Sequence, residues 1–264
     1  MDNMQKIPVF FTFDANYLLA AKVAIHSMMK HASRQYWYEL YVFHTTLSPK
    51  AQQSLRNSLK EFTHTELHFI DVTQYNEKIK NFGTKAHYSK EIFYKLIATD
   101  VLPQYDRIIC SDVDVVFTGD FSPVFFMFPN EKFYYAGVGP VENSRMPYYR
   151  KDFSTTEMEI LEHEIAAGFL LINLKELRND HKQEEIINFY VNNYPRLRLP
   201  EQDCIILTCW PYIKYLPIDY SLPISFYRLN MNQRDFYQGN TEFAGDKATA
   251  LAKFNKGLAH PVQI

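Results

Sequence analysis

Residues 7–13 read IPVFFTF, a continuous apolar run rich in β-branched and aromatic side chains. Such a run predicts a strand buried on both faces, as at the centre of a parallel sheet. Asp14-Ala15-Asn16 interrupts it, and residues 17–31 then show the apolar spacing of a helix that packs on one face. The pattern continues with a strand at 38–44, a helix from Ser48-Pro49 to about Phe62, and a strand at 66–71. This β-α-β-α-β order predicts a doubly wound α/β sheet.

Shorter patterns predict the rest of the chain. Residues 72–88 are predicted to form a loop, and Ser89 to cap a helix that runs to about Val101. Further strands are predicted at 107–110, 115–117, 133–138 and 168–174, and helices at about 180–193 and 201–209. Because no repeat and no Pro/Gly/Ser-rich linker divides the sequence, we expect a single domain over residues 1–264.

The composition excludes several classes of protein. The chain has 264 residues, of which 47% are hydrophobic, enough for a sizeable core. Lys and Arg (28) nearly balance Asp and Glu (30), so no nucleic-acid partner is expected. No run approaches the ~18 apolar residues of a membrane span, and the N-terminal residues do not predict a signal peptide. The three cysteines are too few for a disulfide framework and favour a reducing, cytoplasmic location.

Several common nucleotide and metal motifs are missing. Gly137-Val138-Gly139 lacks the third glycine of a dinucleotide fingerprint, and the sequence has no Walker A loop. His163-Glu164 lacks the second histidine of a zinc protease, and the Cys204-x4-Cys209 pair has no companion ligands. Any nucleotide must therefore be held by other groups.

Asp112-Val113-Asp114 is the most informative triplet. It follows the apolar residues 107–110 (RIIC), so both carboxylates belong at the carboxyl end of a strand, where open α/β sheets bind ligands. Paired carboxylates suit Mg²⁺ or Mn²⁺, with the remaining positions left for phosphate and water. The alternative interpretation is an acidic turn without a metal.

Polar groups at other positions extend this candidate site. Asp14, Asn16 and Tyr17 follow the first strand, where they suit a ribose and a base, although Asp14 is equally suited to cap the next helix. Lys95 precedes the triplet and could pair with a carboxylate or a phosphate, or else lie on a solvated helix face.

Five segments, in this order along most of the chain, give the sequence a resemblance to a known family. The sequence resembles the retaining glycosyltransferases of family 8, which include bacterial lipopolysaccharide galactosyl- and glucosyltransferases and glycogenin. The segments are FTFDANY (11–17), AHYSKEIFYKL (86–96), IICSDVDVVFTGD (108–120), AAGFLLINL (166–174) and LPEQDCIIL (199–207).

The resemblance implies a GT-A fold, a Rossmann-like α/β domain whose mixed central sheet is flanked by helices. It implies a nucleotide-binding half at about 1–120 and an acceptor-side half at about 121–264. The implied donor is UDP-glucose or UDP-galactose, the implied metal is Mn²⁺ or Mg²⁺, and the implied acceptor is a glycan or glycolipid such as lipopolysaccharide core or surface polysaccharide.

The resemblance also implies roles for individual residues. His87 would lie on the acceptor side, and Asp112 and Asp114 would bind the metal. Glu201, Gln202 and Asp203 would lie beneath the anomeric carbon as the catalytic group. The implied nucleotide-sugar site comprises Thr12, Phe13, Asp14, Asn16, Tyr17, Lys95, Asp112, Val113, Asp114, Ala166 and Ala167.

Retention of configuration has two possible routes. Two successive inversions need a covalent intermediate, for which Asp203 is the only plausible nucleophile nearby. Front-face attack instead lets the departing UDP accept the proton of the acceptor. Because the amide of Gln202 is a poor nucleophile, we favour the front-face route, with Gln202 orienting or stabilising the sugar.

The sequence departs from the family pattern at two places. Ala166 stands where the family usually has an asparagine that contacts the donor sugar. A late motif, whose histidine is the family's third metal ligand, is missing after Pro261-Val262-Gln263-Ile264, and His260 is not its equivalent. We therefore expect the C-terminal segment to be missing, and with it a possible peripheral contact with the inner membrane.

These departures leave one alternative function open. A nucleotide-sugar-binding protein of the same fold, with weak or no turnover, is consistent with Ala166 and the missing histidine. A nucleotidyltransferase is disfavoured, since residues 8–20 lack its Gly-rich signature.

Overall fold

A computed structural model of the chain describes residues 4–80, 82, 89–139, 151–221 and 262–263. The strands are β1 (Lys6–Thr12), β2 (Trp37–His44), β3 (Thr65–Asp71), β4 (Ile108–Ser111), β5 (Val115–Val116), β6 (Tyr135–Val138), β7 (Phe169–Ile172), β8 (Ile213–Leu216) and β9 (Val262–Gln263). The α-helices are α1 (Leu18–His31), α2 (Pro49–Ser58), α3 (Asn76–Ile79), α4 (Ala98–Val101), α5 (Thr155–Leu161), α6 (Leu174–Asn179), α7 (Lys182–Asn193) and α8 (Pro200–Cys209). Short 3-10 helices cover Ala15–Tyr17, Thr73–Tyr75, Lys90–Ile97, Ser122–Phe126 and Ile218–Tyr220.

Seven strands form one mixed sheet in the order β3-β2-β1-β4-β7-β6-β8. The strands from β3 to β4 are parallel, as the β-α-β-α-β pattern predicts. β7 runs antiparallel to both of its neighbours, and β8 is parallel to β6. The chain leaves β1 toward β2 and β3 and returns to place β4 on the other side, so the strand order reverses between β1 and β4. Ligands bind at such a reversal in open α/β sheets.

β1 is buried on both faces, which confirms the prediction for residues 7–13. Val9 and Phe11 belong to the core beneath α1 and α2, whereas Phe10 belongs to the core on the opposite face with α7 and α8. This alternation follows from the two-residue period of a strand.

Two sequence predictions fail between β3 and β4. The expected loop at 72–88 contains the 3-10 helix Thr73–Tyr75 and α3. The expected helix at 89–101 is a 3-10 helix that continues into α4, and the side chain of Ser89 makes no capping hydrogen bond. The 3-10 segment is buried on most sides because it packs against both β1 and α8.

Smaller differences concern element ends and short elements. α2 ends at Ser58 instead of Phe62, since the Leu59 N–H bonds to the Arg56 carbonyl and tightens the last turn. The sequence patterns did not predict α5, α6 or β8. A short two-stranded sheet pairs β5 with β9 in antiparallel fashion. None of the helices in the described ranges has the length and hydropathy needed to span a bilayer.

Candidate active site

A cavity of about 290 Å³ opens at the carboxyl ends of β1 and β4. Phe10 pairs with Cys110 across these strands, so Thr12 and Asp112 each follow that pair by two residues at the same edge. The predicted site residues in its wall are Thr12, Phe13, Tyr17, Lys95, Asp112, Val113, Asp114, Ala166, Ala167, Glu201 and Gln202. The other residues in its wall are Ser89, Glu91, Ile92, Gly168 and Leu199.

Three of the predicted site residues that the structure describes, Asp14, Asn16 and Asp203, are not in this wall. Asp14 caps the 3-10 helix Ala15–Tyr17, accepting from the Asn16 backbone N–H at 2.8 Å and from the Asn16 side chain at 3.1 Å. Asp14 instead lines an adjoining cavity of about 470 Å³, which shares Ser89 and Glu91 with the first. Asp203 lies deeper in the protein, and His87 lies outside the described residues, as does His260.

Lys95 is the cationic centre of the site. Its Nζ lies 2.7 Å from Asp112 Oδ1 and 3.2 Å from Glu201 Oε1, and it donates to the Ala167 carbonyl at 3.1 Å. Burial alone would lower the pKa of Lys95, but the charges of Asp112 and Glu201 outweigh it and raise the pKa above its ordinary value. The lysine is therefore buried and charged, not part of a solvated helix face.

The ionisable side chains that line the cavity are mostly acidic. Among the described residues of the wall, Glu91, Asp112, Asp114 and Glu201 contribute four carboxylates, against the single ammonium of Lys95. Glu91 and Glu201 are buried, and one oxygen of each has no hydrogen-bond partner in the described part of the chain. These carboxylates repel an anionic ligand, so additional positive charge favours its entry.

Gln202 is held at both ends of its amide. The Ala167 N–H donates to Gln202 Oε1 at 3.2 Å, and Gln202 Nε2 donates to Glu164 Oε2 at 2.9 Å. Both neighbours lie in the loop that precedes β7, and Gln202 lies in the first turn of α8. The amide therefore has one orientation at the cavity wall.

Asp203 has a local structural function. It is fully buried, and its Oδ2 accepts hydrogen bonds from the backbone N–H groups of Arg198 (2.6 Å) and Leu199 (2.9 Å). These bonds fix the chain entering α8, where a carboxylate also interacts favourably with the helix dipole. Asp203 does not line the cavity, which counts against the catalytic role suggested by its sequence position.

Asp112 and Asp114 suit a hard divalent cation. Both line the same cavity, and the Asp112 side chain is 24% exposed even though Lys95 binds its Oδ1. The described residues contain no group of three or more His, Cys, Asp or Glu side chains able to hold a metal. The two aspartates supply hard oxygen ligands for Mn²⁺ or Mg²⁺, and phosphate and water suit the remaining positions. β9 runs beside this position, since Gln263 pairs with Val115, the residue after Asp114.

Two acidic residues of the site were missed by the sequence reading. Glu91 lies four residues before Lys95, and Glu164 lies two residues before Ala166. The only sequence signal for these two residues is a charge close to an apolar segment. That signal does not show which way the side chain points. The contact of Glu164 is made with Gln202, 38 residues along the chain.

Comparisons with known proteins agree with this geometry. A family model described as glycosyl transferase family 8 matches residues 8–244. WbbM, a bifunctional glycosyltransferase, is similar with a TM-score of 0.75 and 19% identity, over 98% of this chain and 45% of that one. The galactosyltransferase LgtC, in complex with donor and acceptor sugar analogs, is similar with a TM-score of 0.68 and 14% identity, over 97% of this chain and 86% of that one. Mouse xyloside xylosyltransferase 1 is similar with a TM-score of 0.65 and 17% identity, over 99% of this chain and 98% of that one. A search of curated protein sequences gives no match.

Proposed function

The chain belongs to glycosyl transferase family 8 and has the GT-A fold, and on this premise we propose that it transfers a hexose from UDP-glucose or UDP-galactose to a glycan, with retention and with a divalent metal. One observation carries the proposal. A single cavity is lined by residues at the carboxyl end of β1 (Thr12 and Tyr17), by the two aspartates after β4 (Asp112 and Asp114) and by Gln202 at the start of α8. These positions suit a nucleoside, a diphosphate with its metal, and a reacting sugar in turn.

The charge of the cavity supports metal dependence. Four carboxylates against one ammonium repel a diphosphate unless a cation enters with it. When bound by Asp112 and Asp114, Mn²⁺ or Mg²⁺ supplies positive charge that stabilises the departing UDP. Lys95 holds the carboxylate of Asp112 in place for this role, with Nζ 2.7 Å from Oδ1.

We propose front-face transfer. The acceptor hydroxyl oxygen bonds to the anomeric carbon, the bond from that carbon to the UDP oxygen breaks, and the hydroxyl proton passes to the departing phosphate. Gln202 stabilises the positive charge that develops on the sugar, through its carbonyl oxygen. The buried, backbone-bound carboxylate of Asp203 supports this route over a covalent intermediate, because it is not presented to the cavity.

The acceptor and the location are also proposals. We propose a lipopolysaccharide core or surface polysaccharide as acceptor, on the side of the cavity where His87 is expected. The names of LgtC and WbbM, a galactosyltransferase and a bifunctional glycosyltransferase, support a sugar acceptor in general terms. The chain spans only 45% of the length of WbbM. All three cysteines are buried and free, which supports a location in the reducing cytoplasm. A peripheral contact with the inner membrane is a separate part of the proposal.

A panel of UDP-sugars tests the proposed function. The purified protein is incubated with each donor and with Mn²⁺, Mg²⁺ or EDTA, and UDP release is measured with and without glycan acceptors. We expect metal-dependent release from UDP-glucose or UDP-galactose and none with EDTA. Release that persists with EDTA would contradict metal dependence, and no release from any donor would contradict the transferase.

A nucleotide-sugar-binding protein without turnover is the second candidate. It is favoured by the ion pair that occupies Asp112 Oδ1 and by Ala166 in the cavity wall, where family members carry a sugar-binding asparagine. Thermal stabilisation by UDP and Mn²⁺ in the absence of transfer or hydrolysis would identify this function. No stabilisation by UDP with any metal would contradict both candidates.

A further inference from the structure

The two hydrogen bonds of Gln202 allow only one orientation of its amide. Rotation by 180° would set Nε2 against the Ala167 N–H, a donor against a donor, and Oε1 against the carboxylate of Glu164. Ala167 belongs to the cavity wall, whereas Glu164 does not. The Oε1 end of the amide therefore lies next to Ala167 of the cavity wall, and the Nε2 end lies next to Glu164, which is not in that wall.

We propose that Glu164 is a positioning residue that holds and polarises the Gln202 amide for glycosyl transfer. The inference rests on the proposed function of the same cavity. A hydrogen bond from Nε2 to a carboxylate draws electron density toward Oε1, because charge-assisted bonds polarise the groups that they join. A more negative Oε1 stabilises the positive charge that develops at the anomeric carbon.

Glu164 is a buried carboxylate in direct contact with the Gln202 amide. The residue is 5% exposed, and burying a carboxylate is costly unless it is well hydrogen-bonded. Replacing a buried ionic group by an apolar side chain of similar volume often leaves the stability of a protein unchanged or raises it. The carboxylate accepts directly from Gln202 Nε2 at 2.9 Å, so its charge acts on that amide at hydrogen-bond distance.

Two substitutions separate charge from hydrogen bonding. Glu164→Gln keeps an oxygen that accepts from Gln202 Nε2 but removes the charge, whereas Glu164→Ala removes both. We expect kcat for UDP release to fall about tenfold in Glu164→Gln and about a hundredfold in Glu164→Ala, the scale of a charged hydrogen bond. The KM for the UDP-sugar and the Kd for UDP should stay within about twofold, since Glu164 does not contact the cavity. Glu162→Gln, an exposed change two residues away, is the matched control and should leave kcat unchanged.

Three kinetic results would overturn the inference. One is a kcat for Glu164→Ala close to that of the wild type. Another is an equal weakening of kcat and UDP binding, which would indicate a damaged cavity. The third is the same loss in Glu164→Gln as in Glu164→Ala, because the partial rescue by the acceptor oxygen would then be missing.

A second readout does not depend on turnover. In protein labelled with ¹⁵N-glutamine, the side-chain resonance of Gln202 is the one lost in Gln202→Leu. We expect Glu164→Ala to move this resonance and to speed the exchange of its bonded proton, and Glu162→Gln to leave it in place. Absence of turnover in the wild type would refute the proposed function, whereas an unmoved Gln202 resonance would refute positioning by Glu164, so the two failures are distinguishable.

Discussion

Replacing Lys95 by methionine tests the charge balance of the site. Lys95→Met keeps the volume and the apolar stem but removes the ammonium. Lys95 is 2% exposed at its side chain, Glu201 10% and Asp112 24%, so the two carboxylates would lose their cation in a place that water reaches poorly. The buried Ala167 carbonyl would lose its donor as well.

The magnitude follows from breaking a buried ion pair. Removing one partner of such a pair costs about 3–5 kcal/mol, because the remaining charge stays buried without compensation. For a chain of this size we expect Tm to fall by about 6–20 °C. The pKa of Lys95 is raised above its ordinary 10.5, so its stabilisation is fully present below that pH and is lost only as the pH rises through the higher folded-state value. The deficit of Lys95→Met should therefore be constant from about pH 6 to about pH 9.

Urea unfolding followed by circular dichroism measures this loss. Lys80→Met is the matched control, since Lys80 pairs with Glu77 at 2.8 Å but both side chains are exposed. Exposed pairs contribute about 0–1 kcal/mol, so the control should change the free energy of unfolding little. A loss for Lys95→Met no larger than that for Lys80→Met would refute the argument that the buried charges depend on Lys95.

Three further substitutions test other parts of the site. Asp203→Asn should lower the free energy of unfolding by about 1–2 kcal/mol, as a helix-terminal charge is lost, and leave kcat within about threefold. A near-complete loss of kcat in a folded Asp203→Asn variant would instead favour the covalent route. Asp112→Ala should abolish both UDP release and the thermal stabilisation by UDP with Mn²⁺, and unchanged release would remove the metal assignment. Ala166→Asn adds an amide to the cavity wall. We expect it to change the ratio of kcat/KM for UDP-glucose to kcat/KM for UDP-galactose by about tenfold. An unchanged ratio would show that this position does not determine the donor sugar.

Local sequence patterns predicted the parallel half of the sheet and the location of the cavity. The apolar run at 7–13 and the carboxylates after β4 are local features, and each has one structural interpretation at a strand end. The capping box of Ser154 and Glu157 was also readable and would have predicted α5. The family resemblance supplied the order of the site segments, and the family match over residues 8–244 agrees with it.

Long-range partners explain what the sequence could not show. Lys95 and Glu201 are 106 residues apart, and nothing near either position indicates that they meet. The 3-10 geometry of Lys90–Ile97 depends on simultaneous packing against β1 and α8, which local propensity does not include. The hydrogen bonds of Asp203 could not be predicted for the same reason, because the backbone N–H groups of Arg198 and Leu199 are brought to its carboxylate only by the turn that enters α8.

The charges of the described residues in the cavity wall support the proposed dependence of donor binding on a metal. Lys95 is engaged by Asp112, Glu201 and the Ala167 carbonyl, so its ammonium is already committed to holding the wall together. A diphosphate in this cavity would therefore meet carboxylates and, among the described residues, no cation that is not already hydrogen-bonded, so under the proposed function its affinity should rise when a metal enters first or together with it. Asp114 lines the cavity as the second carboxylate for the proposed metal. Lys95 neutralises part of the wall without offering its charge to the donor, which is why we propose that a metal supplies the positive charge that the diphosphate needs.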